Sequence, residues 1–356
     1  MRLRDSLTEC LYRGLCICFL LGGGAVVLLM VSYSHRDRGR EYVPRNLPLR
    51  SINSQLIAAR SSPDILSNVY ISVKTTPKYY DSRLSILKKT WFQKVDKEKF
   101  TIVSDHFNES FVDLKLFEEE VIKEGFHLVT TKCQVEHHRK GLCCKSGVEY
   151  EQFYNYLERH KSDSQQVQWY CHFDDDIYVN VKELSNLLSK YDPSKPYYIG
   201  RYPRRFGFAV DSFRFGRLKN NYNVSRRIFW YSAGATYCVS LALMMKLEKY
   251  FNGVDKFQHT CAVSEYTDDL SVGAIINLVL GYNITHIDNM YNQATDLKKL
   301  SPEAVSKLVT VGFSSGKTVN MIDPQPRLFT STEDPTRFLT YHCLLYKDTS
   351  WCNTEQ

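Results

Sequence analysis

Hydrophobic and polar positions along the chain switch repeatedly between a two-residue and a three-to-four-residue period. NVYISVKTT (68–76), FTIVSD (100–105) and HLVTT (127–131) read as strands. SRLSILKKTWF (82–92) sets Leu84, Leu87 and Trp91 on one helical face. In SGVEYEQFYNYLERH (146–160), Tyr150, Phe153, Tyr154 and Leu157 fall at i, i+3, i+4 and i+7, an amphipathic helix. Val167, Trp169, Cys171 and Phe173 then alternate at strand period, followed by a helix at VKELSNLLSK (181–190) and a strand at YYIGR (197–201). This alternation predicts an α/β domain with a mostly parallel central sheet and flanking helices. In such sheets ligands collect outside the carboxyl ends of the strands. There WYCHFDDDIYVN (169–180) places Asp174, Asp175 and Asp176 in a row.

The N-terminus follows a different pattern. Gly14 to Ser34 carries no charge and is long enough to span a bilayer. It ends without the small-residue cleavage site of a signal peptide, which favours an uncleaved anchor. Arginines flank the span on both sides, so charge alone does not orient it. Asn108, Asn223 and Asn283 head acceptor sequons for glycosylation, and eight cysteines follow the span without a CxxC pair, which argues for an oxidising lumen over zinc. The expected organisation is a cytosolic tail (1–13), a transmembrane signal-anchor (14–34), a polar, basic stem (35–65) and a luminal catalytic domain (66–356). The net charge of +7 reads as spread along the chain, and no nucleic-acid motif accompanies it. The run Arg201, Arg204, Arg205, Arg214 and Arg217 reads as a solvated face, with phosphate or an acidic acceptor as the alternative.

Three adjacent carboxylates repel one another, so each raises the cost of ionising the next. A shared divalent cation cancels that repulsion, and oxygen ligands select Mg²⁺ or Mn²⁺, which also bridge to a substrate diphosphate. A divalent-metal site that holds a nucleotide diphosphate is the expectation, with a solvated acidic turn as the alternative.

The chain from about Val69 to Cys352 resembles the Fringe glycosyltransferases, within the wider β-1,3-glycosyltransferase group. The likeness is carried by VKTT (73–76) with SRLSILKKTW (82–91), LCCKSGVEYEQF (142–153), WYCHFDDDIYVN, YIGR (198–201), FWYSAGATYCVS (229–240), TDDLSVG (267–273) and DPTRFLTYHCLLYKDTSWC (334–352). It implies a GT-A-like, Golgi-membrane type II enzyme that transfers N-acetylglucosamine from UDP-GlcNAc in β-1,3 linkage. The implied acceptor is O-linked fucose on EGF-like repeats, as in Notch receptors, so that the enzyme modulates Notch signalling.

Carried over residue by residue, the resemblance implies that Asp176 ligates Mn²⁺, Asp175 contacts the donor beside Asp174, and Arg83 contacts the nucleotide sugar. Asp269 matches the catalytic base, and an inverting displacement needs one such base. Asp268 and Asp269 open a helix, SVGAIINLVLGY, whose dipole is expected to lower the pKa of either acid. Helix capping is the plainer role for either one. The second metal ligand, a histidine in the family, falls on Gln293, whose amide oxygen binds Mn²⁺ more weakly than imidazole does. His286 lies nearby in sequence and would complete the metal site in place of Gln293 only if the loop shifts. The glycine-rich turn of the family is here Ala233-Gly234-Ala235. The family's bridges imply Cys133–Cys144, Cys171–Cys238 and Cys343–Cys352, leaving Cys143 and Cys261 as buried free thiols. Alternatives to the N-acetylglucosaminyltransferase are a related β-1,3-galactosyl- or glucosyltransferase, or a catalytically impaired Golgi or ER folding partner.

Overall fold

A computed structural model describes residues 66–106, 112–134, 137–162, 167–232, 234, 236–292, 300–314 and 328–352. The expected tail, anchor and stem (1–65) lie outside the described residues, as do Asn108 and Gln293. Among the described residues no helix is long and apolar enough to cross a membrane.

The strands are β1 (Val69–Lys74), β2 (Phe100–Asp105), β3 (His127–Thr131), β4 (Trp169–Asp174), β5 (Ile177–Val179), β6 (Tyr198–Gly200), β7 (Phe208–Ala209), β8 (Ile228–Phe229), β9 (Thr236–Ser240), β10 (Ile284–His286) and β11 (Thr310–Gly312). The helices are α1 (Ser85–Lys89), α2 (Val112–Lys123), α3 (Arg139–Arg159), α4 (Val181–Leu188), α5 (Ser212–Asn221), α6 (Leu241–Phe251), α7 (Val254–Ser264), α8 (Asp268–Ala274), α9 (Pro302–Ser306) and α10 (Phe338–Leu345). Seven strands form the central sheet in the order β10-β6-β9-β4-β1-β2-β3. All neighbours run parallel except β9, which is antiparallel to both β4 and β6.

Burial on both faces explains the nearly continuous apolar strands. Val69, Ile71 and Val73 of β1 join Trp169, Cys171 and Phe173 of β4 in one core with Trp91, Phe92 and Phe100. Tyr70 and Tyr170 face the other way, into a core with Tyr150 and Phe153 of α3 and Tyr198 and Tyr237. The polar atoms carried into this second core are paired across strands, as in the 2.7 Å contact between Ser72 Oγ and Tyr170 Oη.

Helix α3 approaches α7 closely, because at Gly147 an added Cβ would come within 2.9 Å of Val254 Cα. The sequence suggests free thiols at Cys143 and Cys261, but the two are bonded across this helix pair. Consecutive helical residues point about 100° apart, so Cys144 turns to Cys133 while Cys143 faces α7. The other two expected bridges, Cys171–Cys238 and Cys343–Cys352, are present. The first of these staples neighbouring strands at the register pair Cys171 and Cys238.

Candidate active site

The parallel register of β1 and β4 sets Lys74 beside Asp174 where both strands end. The chain then turns through Asp175 and Asp176 into β5, so all three aspartates stand at the carboxyl edge of the sheet. Opposite them, Thr267 leads into α8, whose first turn carries Asp268 and Asp269. The side chain of Thr267 makes no capping bond, and both acids lie inside the helix instead of capping it.

Asp175 is buried and held at both oxygens. Arg83 Nη1 donates to Oδ1 at 2.7 Å, and Thr75 Oγ1 donates to Oδ2 at 2.7 Å. Burial pushes its carboxyl above the usual range, and Arg83 pulls the other way. Arg83 belongs to a π-turn, Tyr80–Leu84, that interrupts the expected helix over 82–92. From there it stacks on Tyr79 at 3.7 Å and reaches Asp176 Oδ2 at 3.6 Å.

Asp176 is different. Its Oδ1 is buried and accepts no hydrogen bond. Burial, then Asp174 and Asp175, push its carboxyl well above the ordinary value. A buried, unpartnered oxygen beside like charges fits a cation. Among the described residues no three His, Cys, Asp or Glu side chains are arranged to hold a metal by themselves.

His286 is a poor substitute for the missing histidine. It ends β10, three strands from β4, which at the usual strand spacing is about 14 Å away. Its ring stacks on Tyr202 at 3.7 Å, with Nε2 3.1 Å from Asp288 Oδ1 and Nδ1 3.3 Å from the Tyr202 amide.

The two acids of α8 have opposite surroundings. Asp268 is 7% exposed, and its Oδ2 accepts from Lys74 Nζ and, at 2.9 Å, from Ser146 Oγ. Burial alone would raise its pKa, but the Lys74 ammonium overrides that and holds it well below the ordinary value. Asp269 is half-buried. Its Oδ1 accepts from the Leu270 amide at 2.8 Å and from Thr267 Oγ1 at 3.1 Å. Burial and the neighbouring Asp268 push it up to about 6. The expectation that the helix dipole lowers both acids therefore fails at Asp269. The dipole contributes no more than about 2 kcal/mol even in favourable geometry, and desolvation plus an adjacent carboxylate outweigh it.

No periodicity in the sequence marks Lys74, yet it joins the two clusters. Its Nζ lies 3.3 Å from Asp174 Oδ1 while it binds Asp268. Behind Asp174, His172 Nδ1 meets the fully buried Glu149 at 2.9 Å. The usable signal was a lysine closing the apolar run VYISVK, and a serine and glutamate inside KSGVE on the facing helix.

Gly234 adopts φ 63°, the left-handed region, so the altered turn keeps its glycine where one is needed. Ala233 and Ala235 lie outside the described residues.

A Fringe-like family profile matches residues 65–349. The chain belongs to the Fringe-like family. It is 32% identical over 294 residues to the β-1,3-N-acetylglucosaminyltransferase radical fringe of Notophthalmus viridescens, covering 82% of this chain and 68% of the relative. It is 33% identical over 288 residues to lunatic fringe of Danio rerio, with 80% and 70% covered. To the Fringe glycosyltransferase of Drosophila melanogaster it is 31% identical over 332 residues, with 91% and 72% covered.

Proposed function

We propose that this Fringe-like glycosyltransferase is an inverting β-1,3-N-acetylglucosaminyltransferase that uses UDP-GlcNAc and acts on O-linked fucose of EGF-like repeats, as in Notch-type receptors. The observation that carries this reading is the contrast within TDDLSVG. Asp268 is neutralised by Lys74, while Asp269, raised to about 6, keeps an oxygen for the acceptor. With Oδ1 held by Leu270 and Thr267, Oδ2 takes the proton of the acceptor hydroxyl as its oxygen attacks the anomeric carbon. The bond from that carbon to UDP breaks on the opposite face, its electrons leave with UDP, and the α-linked donor becomes a β-linked product.

Arg83 and Asp175 form a rigid pair that orients the nucleotide sugar. Asp176 is the residue that would hold a divalent cation, which when bound supplies positive charge to the departing diphosphate. The test uses the full chain in detergent with a panel of UDP-sugars and an O-fucosylated EGF repeat, with and without Mn²⁺. Transfer from UDP-GlcNAc supports the reading. Transfer from UDP-galactose or UDP-glucose alone replaces the donor, and no transfer from any of them removes the enzymatic role.

The same reading places the body in the Golgi lumen behind a type II anchor. Four disulfides suit an oxidising compartment, and Asn223 and Asn283 are exposed. Glycosidase treatment of cell-expressed protein should increase its gel mobility, and an unchanged band would remove the luminal assignment.

A further inference from the structure

The sheet topology sends one long excursion over the active-site edge. β6 ends at Gly200 and antiparallel β9 begins at Thr236. The chain between them therefore leaves and re-enters the sheet at the edge where β4 delivers its aspartates. This arm holds β7, α5 and β8, and it rests on α7 and α8 through Val210, Leu218, Val224 and Phe229 packed with Val263, Tyr266, Ala274 and Leu278.

The arm meets the base directly. Gly273 lies four residues after Asp269, on the same helical face, and a Cβ there would fall 2.3 Å from Tyr231 Cβ. Tyr231 is thus seated on the turn that follows Asp269, close enough for that carboxylate to raise its pKa, after burial as the larger cause. Tyr231 also lines a shallow surface groove together with Tyr202, Arg204, Phe208, Phe229 and Trp230.

The outer surface of the arm is apolar and strongly basic. Phe206 is 87% exposed, Phe213 64% and Ile228 46%. From Arg201 to Ser232 there are seven arginines and one lysine against one aspartate, a net +7 equal to the formal charge of the whole chain. The positive charge that the sequence suggests is dispersed is thus concentrated here. Asp211 is engaged by Arg214, and Arg217 by Glu265. Arg204 and Arg205 stand exposed beside Phe206.

The geometry points to this arm as the docking surface for the polypeptide of the acceptor, an acidic protein surface with an apolar contact for Phe206, held so that its sugar reaches Asp269. The inference rests on the transferase reading above and names what that site recognises beyond the sugar. A sugar alone needs neither an exposed phenylalanine nor an excess of arginines. An acidic glycoprotein uses both, since charge complementarity steers encounter and an apolar anchor slows release.

Full-length wild type, Phe206→Ser and Arg204→Glu/Arg205→Glu are compared by direct binding of an O-fucosylated EGF repeat and by transfer to that repeat and to p-nitrophenyl α-L-fucoside. The repeat's Kd and KM should rise ~10-fold or more, the loss of one interface anchor, with fucoside KM and UDP-GlcNAc KM nearly unchanged. Added salt should weaken the repeat and not the fucoside. Equal loss on both acceptors, or no loss on the repeat, overturns the docking surface. A wild type that binds the repeat but transfers to neither acceptor overturns the transferase reading, while the variants' binding still decides the surface.

Discussion

The two aspartate clusters are built on the same plan and differ in what they leave open. In each, one buried acid is paired with a cation, Asp175 with the half-buried Arg83 and Asp268 with the buried Lys74. In each, a neighbouring acid is then held where its charge is costly. Asp176 lacks a partner for Oδ1 and sits among like charges, which suits a metal ion. Asp269 faces the acceptor arm with a carboxyl raised to about 6, which suits a proton. The paired acids organise and the uncompensated ones react. Perturbed groups beside fixed ion pairs are a common mark of working sites.

The largest effect should come from Asp269→Asn. Removing a positioned base lowers the rate by ~10²–10⁴, while UDP-GlcNAc affinity and melting temperature stay near wild type because Asp269 closes no ion pair. Steady-state kinetics and thermal unfolding of Asp269→Asn and Asp268→Asn, side by side, test the division of labour. An active Asp269→Asn beside a stable but dead Asp268→Asn would reverse the two roles.

Next is Lys74→Met, which should damage stability first. Breaking a buried pair from one side costs about 3–5 kcal/mol, and here two carboxylates lose the same cation. Denaturant unfolding reads the loss. Less than about 1 kcal/mol would mean the network is worth no more than a surface salt bridge.

How far this plan could be read from the sequence depends on distance along the chain. β2 and β3 fall on their expected residues because their apolar runs end sharply. The aspartate row and TDDLSVG were visible as local strings. The pairing of Lys74 with Asp268 spans 194 residues, and that of Cys143 with Cys261 spans 118. No period in a single chain reports such contacts. The π-turn at Tyr80–Leu84 was hidden for a related reason. Hydrophobic spacing describes the buried face, whereas Arg83 is placed by the polar one.

The metal half of the comparison should yield a smaller change. Asp176→Asn should remove Mn²⁺-dependent UDP binding in calorimetry and leave the metal-free UDP isotherm intact. Gln293→His should tighten Mn²⁺ in the presence of UDP by ~10-fold, because imidazole is the better ligand. If Gln293→His changes nothing and His286→Ala abolishes Mn²⁺ binding, the ion sits away from the β4 edge and the comparison loses that half.

The smallest effect sharpens the other half. A base works deprotonated, so kcat/KM should rise with pH through about 6, where Asp269 loses its proton. Burial raises that carboxyl most, and Asp268 raises it further by its negative charge. In Asp268→Asn that charge is gone while the Lys74 ammonium, which favours ionised Asp269, remains. The acidic limb should therefore move down by about one unit, the scale of a single adjacent charge. Because Asp174 still lies 3.3 Å from Lys74, the variant should lose only about 3 kcal/mol, the low end for a broken buried pair. Low-temperature profiles can then be taken on folded protein. A limb that moves up, or stays with Asp268 removed, means that Asp268 does not set the basicity of its neighbour and that burial alone does.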